Sequence, residues 1–214
     1  MAPKEKTSAI IKLLRKEYPQ ARIALNFASP LELLVATILS AQSTDVTVNK
    51  VTPALFKKYR TVRDYARADI KEFEKEIYST GFYHNKSKNI IAAAQMILEK
   101  YHGNIPQTMD EMLEIPGVAR KTANIVLYNA HGVVAGIPVD THVRRLSQRL
   151  GLSKQEDPVK IEQDLMKLVP RDMWGHFSYL LIDHGRAVCQ AKKPQCPRCV
   201  LNKLCPSYRI FFPV

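Results

Sequence analysis

Apolar residues recur along this chain at intervals of three and four positions, which is the spacing of one face of an α-helix. The first such stretch begins near Thr7 and is stopped by Pro19. The alternation typical of a half-buried strand is confined to residues 21–27 and 133–139, which are too short to build a sheet. The pattern therefore predicts an all-α fold.

Several helix starts are marked by residues that can cap the unpaired N–H groups of a first turn. Ser29 and Glu32 flank Pro30 in the strongest of these signals, and the pairs Asp69–Glu72 and Thr108–Glu111 repeat the same spacing. Apolar periodicity and the residues that end each segment predict further helices over residues 85–100, 120–131, 141–150, 158–168 and 173–188.

The composition narrows the class of partner. The 214 residues, 46% of them hydrophobic, can bury a core as one domain or two small ones, and they carry a formal charge of +12. Such an excess favours a polyanionic partner, because each phosphate that is neutralised releases counterions; a basic protein with solvated faces is the alternative. No stretch is long and apolar enough to span a bilayer, and the first residues lack a secretory signal. We therefore expect an intracellular protein that does not contact a membrane.

A loop near the end of the sequence holds every cysteine of the chain, at Cys189, Cys196, Cys199 and Cys205. Disulfides are disfavoured in a reducing compartment and in a chain that can fold without them. Four thiolates can hold either a structural zinc ion or a [4Fe–4S] cluster. Zinc sites usually use two closely spaced pairs, whereas this loop has only one, so the spacing leaves both metals open.

A second candidate site is a helical hairpin whose turn comprises Ile115, Pro116, Gly117, Val118, Ala119 and Arg120. Gly117 can adopt a positive φ, which lets the backbone approach a ligand closely. The unpaired N–H groups at the start of the next helix favour phosphate. Lys121 lies in that first turn, and an amine that is neutral for part of the time is a nucleophile. Asp140 stands at the following helix start, where it is suited to act as an N-cap.

These motifs resemble those of the helix-hairpin-helix DNA glycosylases, and within them the endonuclease III family. The matching segments follow the family's order and run from about Leu31 to Cys205: Leu39–Asp45, Gly81–Lys88, Ile115–Ala123, Val139–His142 and the four cysteines. The resemblance implies a helix-hairpin-helix glycosylase fold in which two helical domains flank a DNA-binding cleft. It implies a six-helix domain at 24–133 and a second domain, made of 1–23 and 134–214, that carries the cysteine loop.

The resemblance also implies catalytic roles. Lys121 is expected to attack C1′ of the damaged nucleotide and form a Schiff base, after which β-elimination breaks the strand 3′ to the lesion. Asp140 is expected to stabilise positive charge on the sugar or to assist the lysine. Relatives that only excise the base generally lack this lysine. Ala119 departs from the family, which more often has glycine there, and it adds a methyl group near the phosphate.

Further residues are implied to contact DNA around an extruded nucleotide. By family position, Gln42 would face the orphaned base and Phe82 would wedge between bases; a helix-end glutamine and a core phenylalanine are the alternatives. Lys192 and Lys193 lie in the cysteine loop, where a bound metal would hold them against the phosphate backbone. The alternative for these lysines is that they only keep the loop soluble.

The resemblance thus predicts a bifunctional DNA glycosylase and abasic-site lyase that removes oxidised pyrimidines. It favours a [4Fe–4S] cluster as scaffold, a monomer bound to double-stranded DNA that contains damaged pyrimidines or abasic sites, and a location at the nucleoid of a prokaryotic cytoplasm. One alternative is a monofunctional glycosylase for uracil, thymine or adenine mismatches. Lys121 argues against it, and the end of the sequence at Val214 argues against the adenine enzymes with an extra domain. The other alternative is a non-catalytic DNA-binding module, which would show steep salt dependence without strand cleavage.

Overall fold

The fold is built from α-helices joined by loops and short 3-10 turns. The structure is a computed structural model that describes residues 2–212, and no strand occurs among these residues, which confirms the predicted all-α class. The helices are α1 Pro3–Glu17, α2 Pro30–Leu39, α3 Asp45–Lys58, α4 Val62–Ala66, α5 Ile70–Ile77, α6 Tyr83–Tyr101, α7 Met109–Glu114, α8 Arg120–His131, α9 Thr141–Arg149, α10 Pro158–Leu168, α11 Trp174–Ala187 and α12 Tyr208–Phe211. None of the helices in this described range is long and apolar enough to cross a membrane.

The predicted helix starts are confirmed where a side-chain cap marked them. The Ser29 hydroxyl accepts a hydrogen bond from the Glu32 backbone N–H at 3.2 Å, and Asp69 and Thr108 cap α5 and α7 in the same way. The five further helices predicted from periodicity each begin and end within two residues of α6, α8, α9, α10 and α11. Local capping chemistry and apolar spacing therefore place most of the helices.

The predicted start of the first helix near Thr7 is wrong, because α1 begins at Pro3. The Glu5 carboxylate accepts a hydrogen bond from the Ala2 backbone N–H at 3.0 Å, which satisfies one donor of the first turn. The Thr7 hydroxyl instead donates to the Pro3 carbonyl at 2.9 Å from within the helix. The threonine that resembled a cap is thus an interior helix residue.

The chain divides into two compact units. The middle unit is Ala24–Ala135, and the terminal unit combines the described residues up to Ile23 with those from Gly136 onward. The middle unit contains α2 to α8, seven helices rather than the six that were expected. The five-residue α4 forms because the Thr61 hydroxyl and the Asp64 carboxylate cap each other's backbone N–H groups.

The core of the middle unit is organised by α2, in which every residue from Leu33 to Leu39 is buried. α2 packs against α8 and α6, while α4 and α5 also pack on α6. Among the largest fully buried side chains here are Leu33, Leu34, Leu39, Tyr65, Phe73, Ile77, Ile90, Ile97 and Met112. This packing fixes the carboxyl end of α2 and the amino ends of α6 and α8, from which the candidate DNA-binding residues project.

The terminal unit joins segments that are distant in sequence. α11 packs against both α9 and α1, and the Lys6 ammonium donates a hydrogen bond to the Leu150 carbonyl at 2.6 Å. Its fully buried apolar side chains include Ile10, Leu14, Val143, Leu146, Ile161, Leu165, Phe177, Leu180 and Leu181. α9 and α11 together support the cysteine loop that follows them.

Candidate nucleic-acid interface and active site

The predicted hairpin is formed by α7, a turn over residues 115–119, and α8. The Val118 N–H donates to the Ile115 carbonyl at 3.0 Å and closes the turn, with Gly117 at φ +78°. Ile115 and Val118 are buried, so their side chains pack the hairpin, and only backbone at these positions is available to a ligand. The turn therefore presents backbone groups, rather than these side chains, to a ligand.

Ala119, which departs from the family's glycine, adopts φ −87° and ψ 168° as the residue before α8. This is extended backbone, so alanine is accommodated without strain, and its methyl group is exposed. Ala119, the N-cap residue of α8, provides no side-chain cap for the first turn of the helix. The first N–H groups of an α-helix lack partners within the helix and favour an anion.

Glycine is favoured at position 117 by the lack of space for a side chain as well as by the positive φ angle. A Cβ added there would lie 2.8 Å from the Asn89 Cβ and 3.1 Å from its Cγ, on helix α6. α6 therefore approaches the hairpin turn too closely for any side chain at this position.

We expect Gly117→Ala to weaken binding to duplex DNA at least tenfold, because the turn must move away from Asn89 to admit a methyl group. The matched control is Gly132→Ala, at φ +68° with nothing within 4 Å of the added Cβ. The control is destabilised by about 1–2 kcal/mol from φ alone, and Gly117→Ala by at least about 1 kcal/mol more from the clash. Urea denaturation and fluorescence anisotropy on a labelled duplex measure the two quantities. Equal DNA affinity for the two variants would contradict this account of the turn.

Lys121 is the second residue of α8, and its side chain is exposed. Asp140 lies in the terminal unit, where it is the N-cap of α9 and its Oδ1 accepts a hydrogen bond from the Val143 N–H at 2.7 Å. The structural role of Asp140 that the sequence predicted is thus confirmed. One of its carboxylate oxygens is engaged by the helix, and the residue is half-buried.

Gln42 and Phe82 both have left-handed backbone. Their φ angles are 52° and 49°, and among the described non-glycine residues only His102 shares a positive φ. Phe82 is 60% exposed, so the alternative of a core phenylalanine is wrong. Gln42 is exposed in the loop between α2 and α3 rather than on a helix. Non-glycine residues with left-handed φ and ψ angles have a strained backbone, and such strain is concentrated at functional sites.

One pocket of the middle unit brings several predicted residues together. Gln42, Phe82 and Gly117 line it, although they come from three different loops, together with Ile38, Ala41, Asn85, Lys86 and Asn89. Sequence reasoning did not single out Lys86 or Asn89. A signal for Lys86 was present, because it falls on the same helical stripe as Ile90 and Ile97, where a lysine is out of place.

The four cysteines line a single, largely apolar pocket of the terminal unit. All four are free thiols, and the walls are formed by Leu146 of α9 and by Leu150 and Val188, which directly follow α9 and α11. Burial raises the pKa of Cys199 to about 11 and also raises the pKa of Cys196 and Cys205. Thiolates in this pocket therefore call for a cation to stabilise them.

Polar groups around the pocket hold the loop in place. The Arg149 guanidinium donates to the carbonyls of Gln190 and Ala191 at 2.8 and 2.7 Å, and it lies 3.4 Å from the Cys189 Sγ. His184, buried on α11, links the Tyr18 hydroxyl at 3.0 Å to the Cys199 Sγ at 3.3 Å. Helices α9 and α11, and Tyr18 directly after α1, are thus all tied to the cysteine loop.

Lys192 and Lys193 directly follow the backbone that Arg149 holds. Both side chains are exposed. The two hydrogen bonds from Arg149 fix the carbonyls immediately before them, so the lysines start from an ordered stretch of loop. Both positive charges are therefore exposed at the surface of the terminal unit.

Comparison with known proteins identifies the family. A model of the HhH-GPD superfamily of base excision DNA repair proteins matches residues 35–171. Endonuclease III of Synechocystis sp. is 55% identical over 204 residues, which are 95% of this chain and 93% of that protein. The chain belongs to the endonuclease III family. Membership confirms the resemblance drawn from the motifs and makes the chain a base excision DNA repair protein.

Solved structures with the endonuclease III fold cover nearly the whole chain. A non-covalent endonuclease III–DNA complex matches with a TM-score of 0.91 and 42% identity over 98% of both chains. A trapped endonuclease III–DNA covalent intermediate matches with a TM-score of 0.92 and 43% identity over 98% of this chain and 99% of that one. The predicted helix-hairpin-helix glycosylase fold is therefore confirmed.

Proposed function

We propose that this member of the endonuclease III family is a bifunctional DNA glycosylase and abasic-site lyase that acts on oxidised pyrimidines in duplex DNA. The observation that carries the proposal is Lys121, an exposed amine in the first turn of α8, directly after an uncapped hairpin turn. The trapped covalent complex of an endonuclease III with DNA supports it. We expect the protein to act as a monomer.

The hairpin is proposed to hold the DNA backbone. Ala119 provides no side-chain cap for the first turn of α8, whose N–H groups favour phosphate, and Gly117 leaves the backbone of the turn free of a Cβ. These groups bind phosphate oxygens without reading base sequence, which suits an enzyme that must act on a lesion in any sequence. The net charge of +12, together with the exposed Lys192 and Lys193, adds further phosphate contacts.

Lys121 is proposed to carry the covalent chemistry. Its neutral Nζ forms a bond to C1′ as the glycosidic bond breaks, and the base departs with the bonding electrons and takes up a proton. Opening of the sugar ring and loss of the amine proton give the Schiff base. Loss of a C2′ proton then expels the 3′ phosphate by β-elimination. Placing the lysine beside the phosphate clamp supplies the proximity that this attack needs.

Asp140 is proposed to stabilise the positive charge that develops on the sugar as the base leaves. Its Oδ1 accepts a hydrogen bond from the Val143 N–H, which fixes the orientation of the carboxylate. A helix N-cap thus doubles as an oriented electrostatic group.

The two roles of Asp140 can be separated by Asp140→Asn. Asparagine caps a helix about as well as aspartate, so we expect stability to change by less than about 0.5 kcal/mol. Base excision should fall at least about 100-fold, the size of losing one preorganised electrostatic group. The matched control is Asp157→Asn, since Asp157 caps α10 through the Lys160 N–H in the same way. If both variants retained full excision on a thymine glycol duplex, the proposed catalytic role of Asp140 would be excluded.

Gln42 and Phe82 are proposed to fill the space that an extruded nucleotide leaves in the duplex. Both project from left-handed positions at the rim of the pocket they share with Gly117, and Phe82 exposes most of its ring. An exposed aromatic side chain on a strained loop gains little for folding, whereas stacking against bases would stabilise it.

The cysteine pocket is proposed to hold a [4Fe–4S] cluster. The donor set fits, because four free thiols line one apolar pocket and the Leu201 N–H and the Arg149 guanidinium approach the Cys199 and Cys189 sulfurs. Among the described residues no group of three or more His, Cys, Asp or Glu side chains is arranged to hold a single metal ion. Four thiolates can hold either a cluster, in which each thiolate binds a different iron, or one tetrahedral zinc ion, and membership of the endonuclease III family favours the cluster. When bound, the cluster would act as a scaffold for the loop and its lysines.

The test of the proposed function is incubation with a duplex that carries one thymine glycol, followed by borohydride reduction. We expect strand cleavage 3′ to the lesion and a covalent protein–DNA adduct, neither of which forms on the undamaged duplex. Release of the free base without an adduct would instead indicate a monofunctional glycosylase. Salt-dependent binding with neither product would indicate a docking module.

A further inference from the structure

Lys86 is a buried lysine that bridges two loops of the middle unit. Only 4% of the residue is exposed, and its Nζ donates hydrogen bonds to the Leu39 carbonyl at 2.7 Å and the Thr80 carbonyl at 2.8 Å. Burial lowers its pKa to about 8. A lysine is rarely buried in this way, because removing its charge from water is unfavourable unless specific partners compensate for it. The placement therefore calls for an explanation beyond packing.

The two carbonyls occupy equivalent places in the chain. Leu39 is the last residue of α2, and Thr80 is the last residue of the 3-10 turn Tyr78–Thr80. Carbonyls at a helical carboxyl end lack partners within the helix and favour a cation. The Lys86 ammonium group thus binds the carboxyl ends of both segments and holds them at a fixed separation.

Each of these segments is followed within three residues by a candidate insertion residue. Gln42 follows the end of α2, and Phe82 follows Gly81 after the 3-10 turn. Both have the left-handed backbone described above, which persists only where the surroundings fix it. The Lys86 side chain lines the pocket at whose rim Gln42 and Phe82 lie.

We propose that Lys86 is a positioning residue that sets the spacing between the Gln42 loop and the Phe82 loop, so that both side chains enter the duplex together. The inference rests on the proposed insertion roles of Gln42 and Phe82. Stacked bases are about 3.4 Å apart along a strand, so two side chains that enter one duplex must keep a defined separation. A misplacement of about 1 Å in such a constellation lowers a rate by roughly 100-fold.

The experiment compares the native protein with Lys86→Met, which keeps the length of the side chain but removes the charge and both hydrogen bonds. The probe is a duplex with 2-aminopurine opposite a tetrahydrofuran abasic analogue, whose fluorescence rises when the base opposite the gap is unstacked. We expect Lys86→Met to lose at least ten-fold in the extrusion equilibrium. Borohydride trapping at an abasic site in a single-stranded oligonucleotide, which needs no extrusion, should stay within two-fold of native. Lys71→Met, which removes an exposed lysine from α5, should leave both readouts unchanged.

A double-mutant cycle separates positioning from general loss of structure. In a Gln42→Ala/Phe82→Ala background, Lys86→Met should have no further effect on 2-aminopurine fluorescence, because the loops no longer carry anything to position. The proposal would be overturned if the losses in the extrusion equilibrium were additive in the combined variant. It would also be overturned if Lys86→Met alone gave the same extrusion equilibrium as the native protein. Thermal melting verifies that each variant is folded. Should Lys86→Met not fold, the same measurements on Lys86→Gln decide, since its shorter amide cannot reach both carbonyls.

The outcome is distinguishable from failure of the proposed function. Absence of any borohydride adduct in the native protein would remove the lyase assignment, yet the fluorescence measurement on the uncleavable analogue would still decide the role of Lys86. If the native protein itself produced no rise in fluorescence, the result would contradict both the insertion roles of Gln42 and Phe82 and the positioning role of Lys86.

Discussion

Lys121→Ala will abolish the covalent adduct that borohydride traps between the protein and an abasic site. The amine is the only atom of the proposed mechanism that bonds to the sugar, so nothing replaces it when it is removed. We expect trapping and strand cleavage to fall by about a thousand-fold or more, on the scale seen when a covalent nucleophile is deleted. Quantifying the adduct by denaturing gel on a duplex with one abasic site measures the effect. DNA affinity should change by less than about three-fold, because the proposed phosphate contacts belong to the hairpin backbone, Lys192 and Lys193 rather than to Lys121.

Lys160→Ala is the matched control for this substitution. Lys160 is an exposed lysine in the first turn of α10, so it shares the local environment of Lys121 at a helix start. Its removal should leave both the adduct and strand cleavage unchanged. An adduct of native yield from Lys121→Ala would show that another amine is the nucleophile, and mapping the cross-linked peptide would then identify it.

Cys199→Ser is expected to cause the largest loss of stability among these variants. Cys199 contacts the buried His184 and accepts a hydrogen bond from the Leu201 N–H, so it anchors the loop to α11. A hydroxyl is a poor iron ligand, and the binding free energy of a structural metal site stabilises the folded state by several kcal/mol. We expect at least about 3 kcal/mol of destabilisation. Thermal melting, iron analysis and the visible absorbance of the purified variant measure this.

The loss of DNA binding should exceed any loss of chemistry in the Cys199→Ser variant that remains folded. Lys192 and Lys193 depend on the loop, whereas Lys121 belongs to the middle unit. Val200→Ala, in the same loop at a position that is 36% exposed, is the control and should retain iron. A Cys199→Ser protein that was soluble, free of iron and as tightly bound to DNA as native would contradict the scaffold role of the cysteines.

How far the sequence predicts this fold depends on how local the responsible physics is. Ser29, Asp69 and Thr108 act on N–H groups three residues away, and the sequence shows these pairs directly. Thr7 misled because a hydroxyl can bond backward within a helix as well as cap one, and only the Glu5 contact to Ala2 settles the start of α1. The short α4 was not predicted, since five residues are too few to show periodicity.

The features of the candidate site also differ in how far the sequence alone predicts them. The cysteine spacing and the Pro116–Gly117 turn are local features, and both were predicted from adjacent residues. By contrast, the shared pocket of Gln42, Phe82 and Gly117 depends on how α2, α6 and α8 pack, which no short segment specifies. Lys86 was not predicted for a related reason. Its position on the apolar face of α6 can be seen in the sequence, but its partners are the backbone carbonyls of Leu39 and Thr80, which carry no sequence signal.

The division of the chain has a consequence for the order in which the protein is made. The middle unit is a continuous stretch, Ala24–Ala135, so all of its contacts are available while the ribosome is still adding the last third of the chain. Helix α1 is synthesised before its partners, which lie on α10 and α11, and the Lys6 contact to Leu150 closes a loop of 144 residues. Its apolar face, with Ile10 and Leu14, must therefore wait without a partner during translation. Chaperone contact during synthesis is accordingly expected at the first helix of the nascent chain rather than at the hairpin.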